Sequence, residues 1–188
     1  MNTPPLVSIL INNYNYGRFL RDAIDSALAQ TYPHIEVVVV DDGSTDNSRE
    51  VIESYGNRIR SVLKENGGQG SAFNAGFAAS KGDILCFLDS DDAFYPTKVE
   101  RIVGEFASDL NVGWVTHALA ITDEKRVETG RFHSLGNSFR SDYRGAVRWG
   151  RIKISYPPTS GQCFSRKCMS IIAPLPQMGS SRNSVGGF

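Results

Sequence analysis

The chain has little of what would announce several common kinds of protein. Its 188 residues include three cysteines, Cys86, Cys163 and Cys168; an odd number in no metal-ligand spacing argues against a disulfide framework or a zinc-binding pattern. They read as reduced thiols, with Cys86 in a buried strand. No apolar run approaches the roughly 18 residues of a membrane span, and the opening "MNTPPLVSIL" lacks the basic segment of a secretory signal. The expectation is a cytoplasmic protein with no transmembrane segment, peripheral at most to the inner face of a membrane. Glycine is scarce at one telling place. The turn after the first apolar run, "NNYNYGRF", holds a single glycine, which excludes the phosphate fingerprint of a dinucleotide-binding fold, and the later "GGQG" lacks the Lys-Ser/Thr of a P-loop.

Acid is missing from the end of the chain. All 20 acidic residues lie at or before Asp142, while Arg144, Arg148, Arg151, Lys153, Arg166, Lys167 and Arg182 come after it. Net charge is zero, so the asymmetry divides an acidic body from a basic end. The run from Arg144 to Lys153, interleaved with Tyr143 and Trp149 and followed by Tyr156, is short for a nucleic-acid surface in a neutral chain. It reads as a solvated face or a surface for phosphate or an anionic acceptor, and no nucleic-acid partner is expected.

What is present is an alternation. "LVSILI" (Leu6 to Ile11) and Ile35 to Val40 are aliphatic, β-branched runs expected of strands buried on both faces. Between them Leu20, Ala23, Ile24, Ala27 and Leu28 recur at helical spacing. After the second run Ser44, Thr45 and Asp46 are helix N-cap residues, and a helix to about Tyr55 comes next. The pattern repeats with a strand near Ile59 to Leu63, a Gly-rich loop and a helix to about Ser80. A strand from Ile84 to Leu88 is next, then a helix after Pro96. "VGWVTHALAI" reads as a fifth strand, "TDEKRVETGRF" as a hairpin, and "PPTSGQCFSRKCMSIIAPLP" as a short strand and a helix ending before Pro174. The fold class is therefore α/β, with a mainly parallel central sheet between helical layers. The expected division is a ligand-binding α/β half over residues 1–118, a partial second segment over 119–178 and a disordered tail over 179–188.

The stretch "GDILCFLDSDDAF" carries the chemistry. Asp89, Asp91 and Asp92 crowd the end of a buried strand, and carboxylates that close repel unless a cation, donors or solvent offset them. One explanation is a turn with helix caps, a role expected of Asp92. The other is a hard divalent cation, Mg²⁺ or Mn²⁺, held by one or two carboxylates and a substrate phosphate. Polar residues also end the other strands: Asn12, Asn13, Tyr14 and Asn15 after the first, Asp41 and Asp42 after the second, and Asn66 to Asn74 after the third. In open α/β sheets ligands bind at such a rim, and four polar clusters on one rim favour the cation.

The ordered set "VSILINNYN", "IEVVVVDDGSTDNS" and "NGGQGSAFNAGFAASKGDILCFLDSDD" resembles the N-terminal half of a family 2 glycosyltransferase with the GT-A fold, closely over residues 6–118. The segment "PPTSGQCFSRKCMSIIAPLP" is similar to a later, acceptor-side part of that family. The resemblance implies a metal-dependent, inverting transfer of a sugar from a nucleotide diphosphate, with a UDP-sugar favoured, to a hydroxyl of a glycan, lipid or protein. It implies that Asp42 accepts a hydrogen bond from the uracil ring with Asp41 in support. Asn12 and Tyr14 would line the base pocket, and the Gly68 to Asn74 loop, with Gly70 and Asn74, would lie near the ribose or sugar. Asp89 would serve the donor and the metal, and Asp91 would ligate Mn²⁺ or Mg²⁺. Two departures stand out: Phe73 takes the place of a basic residue common in the family, and Asn12 that of a Pro or Thr.

A general base is also expected from an acidic motif beyond "GQCFSRK", where this chain has none. The resemblance is therefore to a shortened or altered member; Asp123, Glu124, Glu128 and Asp142 are weak substitutes, being surface charges in a polar segment. His117, at the end of the fifth strand, could approach the metal but reads better as structural. A nucleotidyltransferase and a non-catalytic sugar-nucleotide-binding remnant are the alternatives. The sugar, the acceptor and the oligomeric state are not legible.

Overall fold

The computed structural model of the chain describes residues 3–123, 127–133 and 158–176. The expected tail 179–188, the basic run Arg144 to Lys153, and Glu124 and Asp142 lie outside them.

Four strand–helix units come first: β1 (Val7–Asn13), α1 (Gly17–Leu28), β2 (Ile35–Asp41), α2 (Ser48–Glu53), β3 (Arg60–Leu63), α3 (Gln69–Ala79), β4 (Ile84–Asp89) and α4 (Lys98–Ser108). Then come β5 (Trp114–Thr116), β6 (Leu119–Thr122), β7 (Glu128–His133), β8 (Gln162–Ser165) and α5 (Arg166–Ile172). The main sheet has the order β3-β2-β1-β4-β8-β5. Its first four strands are parallel, as crossover helices require, and β8 runs antiparallel to both neighbours.

The aliphatic runs bury both faces because successive side chains of a strand point to opposite sides. Val7, Ile9 and Ile11 of β1 join Val37, Val39, Cys86 and Leu88 beneath α1, α2 and α4. Leu10, Val38, Val40, Leu85 and Phe87 face Ala72 and Phe73 of α3 and Met169 of α5. The helical spacing read in α1 is the spacing of its contacts: Leu20, Ala23, Ile24 and Ala27 are fully buried, and a buried Leu or Ile contributes about 1.5–3 kcal/mol.

Two expectations change. The fifth strand divides at His117 and Ala118: β5 pairs with β8 in the main sheet, whereas β6 pairs with β7 in a separate hairpin. The break lies where the His117 amide donates to Gly161 O (3.0 Å), because β5 takes its partner from the turn before β8. Asp92 caps no helix. α4 begins at Lys98 with Thr97 at its N-cap position, and the Asp92 amide instead closes a turn on Asp89 O (3.1 Å).

The thiols are free, as read, and Cys86 is buried in β4. It faces Cys163 across the β4–β8 pair, and Lys98 Nζ lies 3.4 Å from Cys163 Sγ and 3.5 Å above the centre of the Phe94 ring. No helix among the described residues is long and apolar enough to cross a membrane.

Candidate active site

The strand register assembles the rim. Asn12 lies level with Val40 of β2 and Asp89 of β4, and Asn13 level with Asp41. Parallel strands in register therefore end together, and the polar residues after each apolar run arrive on the same edge.

At the end of β2 each carboxylate has three donors. Asp41, fully buried, accepts from Asn13 Nδ2 (3.0 Å), the Ser44 amide (3.2 Å) and Arg49 Nε (3.1 Å). Asp42, 3% exposed, accepts from Lys64 Nζ (2.5 Å) and from the amides of Gly67 (3.1 Å) and Gly68 (2.8 Å). Gly43 turns just after them with φ of 82°, and a Cβ there would lie 2.7 Å from the Asn66 amide nitrogen, so the close approach of the Asn66 loop requires glycine. Asp46, further along, takes the amides of Gly17 (2.9 Å) and Ser48 (3.0 Å) and so holds the first turns of α1 and α2. Burial pushes its pKa up, but the bonds from Ser48 and Gly17 outweigh that and leave it below the usual carboxylate value.

At the end of β4 the balance is reversed. Burial, then repulsion from Asp92 and Asp91, pushes the Asp89 pKa up to about 6, only partly offset by hydrogen bonds from Thr159 and Ser160. Burial and Asp91 likewise raise Asp92, against a hydrogen bond with Ser160.

A cleft of about 350 Å³ opens over this rim. Asn12, Tyr14, Asp42, Asp89 and Asp91 of the sequence-derived set line it, together with Asn13, Tyr16, Asn66, Gly68, Gln69, Ala72 and Ser90. Tyr14 and Tyr16 are 48% and 43% exposed, leaving ring surface free at one wall. Both polar atoms of the Asn12 amide and the Oδ1 of Asn13 are buried with no partner in the protein, an arrangement costly unless something else supplies it.

The remaining members of the set fall elsewhere. Asp41 lies behind the rim and lines neither cleft. Gly70 faces a neighbouring cleft, also of about 350 Å³, whose wall is apolar and includes Phe73, Phe87, Phe164 and Met169. Asn74 is spent on the backbone of Leu175, donating to its oxygen (2.9 Å) and accepting from its amide (2.7 Å). It pins the segment after α5 to α3 and does not line the donor-side cleft. Phe73 packs on Phe87 with ring centres 4.5 Å apart; among the described residues Lys64 and Arg49 are the cations paired with the carboxylates at the end of β2. His117 lines neither cleft: its Nδ1 lies 2.9 Å from the Ala118 oxygen, and its Nε2 is buried with no hydrogen-bond partner.

Gln69 lies within the Gly68 to Asn74 loop expected near the ribose or sugar; the sequence reading missed Tyr16, Thr159 and Ser160. The first sits next to residues it named. The last two come from the turn before β8, and their signal was the β4–β8 register, invisible without knowing that β8 inserts beside β4.

The donor set suits a divalent cation. No group of three or more His, Cys, Asp or Glu side chains among the described residues could hold a metal by itself, so Asp89 and Asp91 could supply at most two ligands. Water and a phosphate would complete the shell, the usual arrangement for Mg²⁺. A cation there would also offset the repulsion that raises Asp89.

Comparison with known proteins identifies the family. Residues 8–171 match the model of glycosyl transferase family 2. The chain is 42% identical over 173 residues to an uncharacterised glycosyltransferase of Nostoc, covering 90% of this chain and 53% of that protein. It is 45% identical over 118 residues to a hyaluronan synthase of Pasteurella multocida, covering 61% of this chain and 12% of that one. Among solved structures, a mannosyltransferase from Pyrobaculum calidifontis, in complex with GDP-Man and Mn²⁺, superposes with a TM-score of 0.66 at 18% identity, over 94% of this chain and 49% of that chain. The chain thus spans about half the length of the Nostoc relative and less of the other. On the match over residues 8–171 and the strand–helix core it covers, the chain belongs to glycosyl transferase family 2.

Proposed function

We propose that the chain binds a nucleotide-diphosphate sugar in the cleft over β1, β2 and β4 and serves its metal-dependent, inverting transfer to a hydroxyl acceptor, a glycan, lipid or protein, in the cytoplasm. The observation that carries this reading is the meeting, at one cleft, of under-neutralised carboxylates with an unpartnered amide and two exposed aromatic rings. Asp91 and Asp89 would hold Mn²⁺ or Mg²⁺, which would stabilise charge developing on the departing diphosphate. Tyr14 and Tyr16 offer ring faces to a base, and Asn12 offers a donor and an acceptor to its edge. Asp42 orders the Gly67–Gly68 loop at the edge of this cleft and would also accept the imide N–H of uracil. A UDP-sugar is favoured because the pyrimidine leaves more of a small cleft for ribose and diphosphate; the GDP-Man on the mannosyltransferase neighbour makes GDP the comparison to run.

A second reading has one observation in its favour. Of the carboxylates weighed as general bases, Asp123 binds the Val127 amide (2.9 Å) and Glu128 binds Tyr95 Oη, both in or beside the exposed hairpin. Neither lines the cleft. Donor binding without transfer by this chain alone is therefore the alternative. A nucleotidyltransferase would require a basic triphosphate loop that the β1–α1 turn lacks.

The test is calorimetric titration of UDP, and of GDP, into the chain with and without Mn²⁺, repeated on Asp91→Asn. The reading expects UDP binding that needs the metal and disappears in the variant. A folded chain that binds neither nucleotide, or binds equally with and without metal, overturns it. Product formation from UDP-sugar with any hydroxyl acceptor would remove the binding-only alternative.

A further inference from the structure

Ser160 stands 71 residues from Asp89 in sequence, in the turn that leads into β8. In the β4–β8 pair Ile84 faces Ser165, Leu85 faces Phe164 and Cys86 faces Cys163. Carrying that antiparallel register onward brings Ser160 level with Asp89. The structure bears this out: the Asp89 amide donates to Ser160 Oγ at 2.9 Å, and Ser160 is 1% exposed. Ser160 is also near enough to Asp89 and Asp92, and Thr159 to Asp89, for their hydroxyls to oppose the rise in the carboxylates' pKa.

A serine hydroxyl has one hydrogen and two lone pairs. One lone pair is used by the Asp89 amide, so the single hydrogen serves Asp89 and Asp92 in turn and ties the two carboxylates to one buried point. Asp91 is exposed on the other side and meets Asp89 at the cleft.

We propose that Ser160 is a positioning residue for the carboxylate cluster: from the far side of the sheet edge it holds Asp89 and Asp92 so that a divalent cation finds Asp89 and Asp91 already presented at the cleft. The inference rests on the metal-diphosphate reading of that cleft and adds a residue from outside the strand–helix half to it. The segment carrying Ser160 is placed by β8, so the second part of the chain completes the first part's metal site. Removing a group that orients a metal ligand commonly weakens metal binding about 10–100-fold.

The experiment measures Mn²⁺ binding to the 188-residue chain in the presence of UDP, from the loss of the free Mn²⁺ electron paramagnetic resonance signal. Ser160→Ala is expected to weaken Mn²⁺ by about 10-fold or more, and Ser160→Thr, which restores a hydroxyl, to return it to within about 3-fold of the native chain. Thr159→Val, nearly the same shape without the hydroxyl, is the companion variant should Ser160→Ala not fold; it is expected to weaken Mn²⁺ measurably. A role confined to packing would lower the melting temperature and leave the Mn²⁺ affinity of the folded protein alone. Native affinity in folded Ser160→Ala, or in Thr159→Val where Ser160→Ala does not fold, overturns the inference while leaving the metal site standing. A native chain that binds no Mn²⁺ with UDP overturns both, a failure visible in the native curve before any variant is compared.

Discussion

Two acidic groups end two strand runs of the same sheet, and their electrostatic fates are opposite. Asp41 and Asp42 after β2 are buried among backbone amides, an asparagine, an arginine and a lysine. Asp89, Asp91 and Asp92 at the end of β4 have hydroxyls and each other, and Asp89 is pushed up to about 6. The first group is complete within the protein and holds the loops around the cleft. The second is incomplete, and incompleteness at a cleft is what a ligand can use. A carboxylate pair in a motif thus carries no fixed role; the count of donors supplied by the surrounding fold decides between scaffold and site.

That contrast is open to stability measurements. The largest effect is expected from Asp41→Ala, which leaves Asn13 Nδ2 and the Ser44 amide without their acceptor and deprives Arg49 of its ion pair. The cost is about 3 kcal/mol, a fall of roughly 6–12 °C in Tm for a chain of this size. A Tm near that of the native protein would mean that Asp41 is not the scaffold described.

A middle effect is expected at Asp46. Its folded pKa lies below the value it has when unfolded, so its contribution is full above about pH 4 and is lost as pH falls through the folded value. Asp46→Ala should cost about 1 kcal/mol near neutrality, the usual worth of a cap. The difference from the native chain should then shrink in thermal melts as pH falls past the ordinary carboxylate value of about 4 and through the lower folded value. A difference that stays constant with pH would assign the cost to packing.

The smallest effect on stability belongs to Asp91→Asn. The side chain is exposed, and the substitution removes a like charge beside Asp89 and Asp92, so without metal its stability should change by no more than about 0.5 kcal/mol, or rise. The same variant should lose Mn²⁺-dependent UDP binding altogether. Were it to melt as early as Asp41→Ala, the distinction between the two acidic groups would fall.

Much of the fold and rim was legible because both depend on local period. Aliphatic runs at strand length and the 3.6-residue spacing of Leu20, Ala23, Ile24 and Ala27 are written in neighbouring residues, and parallel strands deliver their trailing residues to one edge. Asn12, Tyr14, Asp42, Asp89 and Asp91 stand at the strand ends this reading gave them and line one cleft. The contact of Asn74 with the Leu175 backbone was not legible because the two are 101 residues apart, and Asp92 caps no helix because a Pro-containing stretch separates it from the one it was expected to cap.

The amino-acid order alone was enough for the strand–helix alternation, the two-faced burial of the sheet and the gathering of polar residues at one rim, since each comes from side-chain periodicity and the geometry of parallel strands. It took the packed fold to settle that β8 enters between β4 and β5, that Lys64 and the glycine-loop amides satisfy Asp42, and that Ser160 reaches Asp89. Those outcomes depend on hydrogen bonds and desolvation between segments far apart in the chain, and these arise only once distant backbone groups are packed out of water and must find partners in one another.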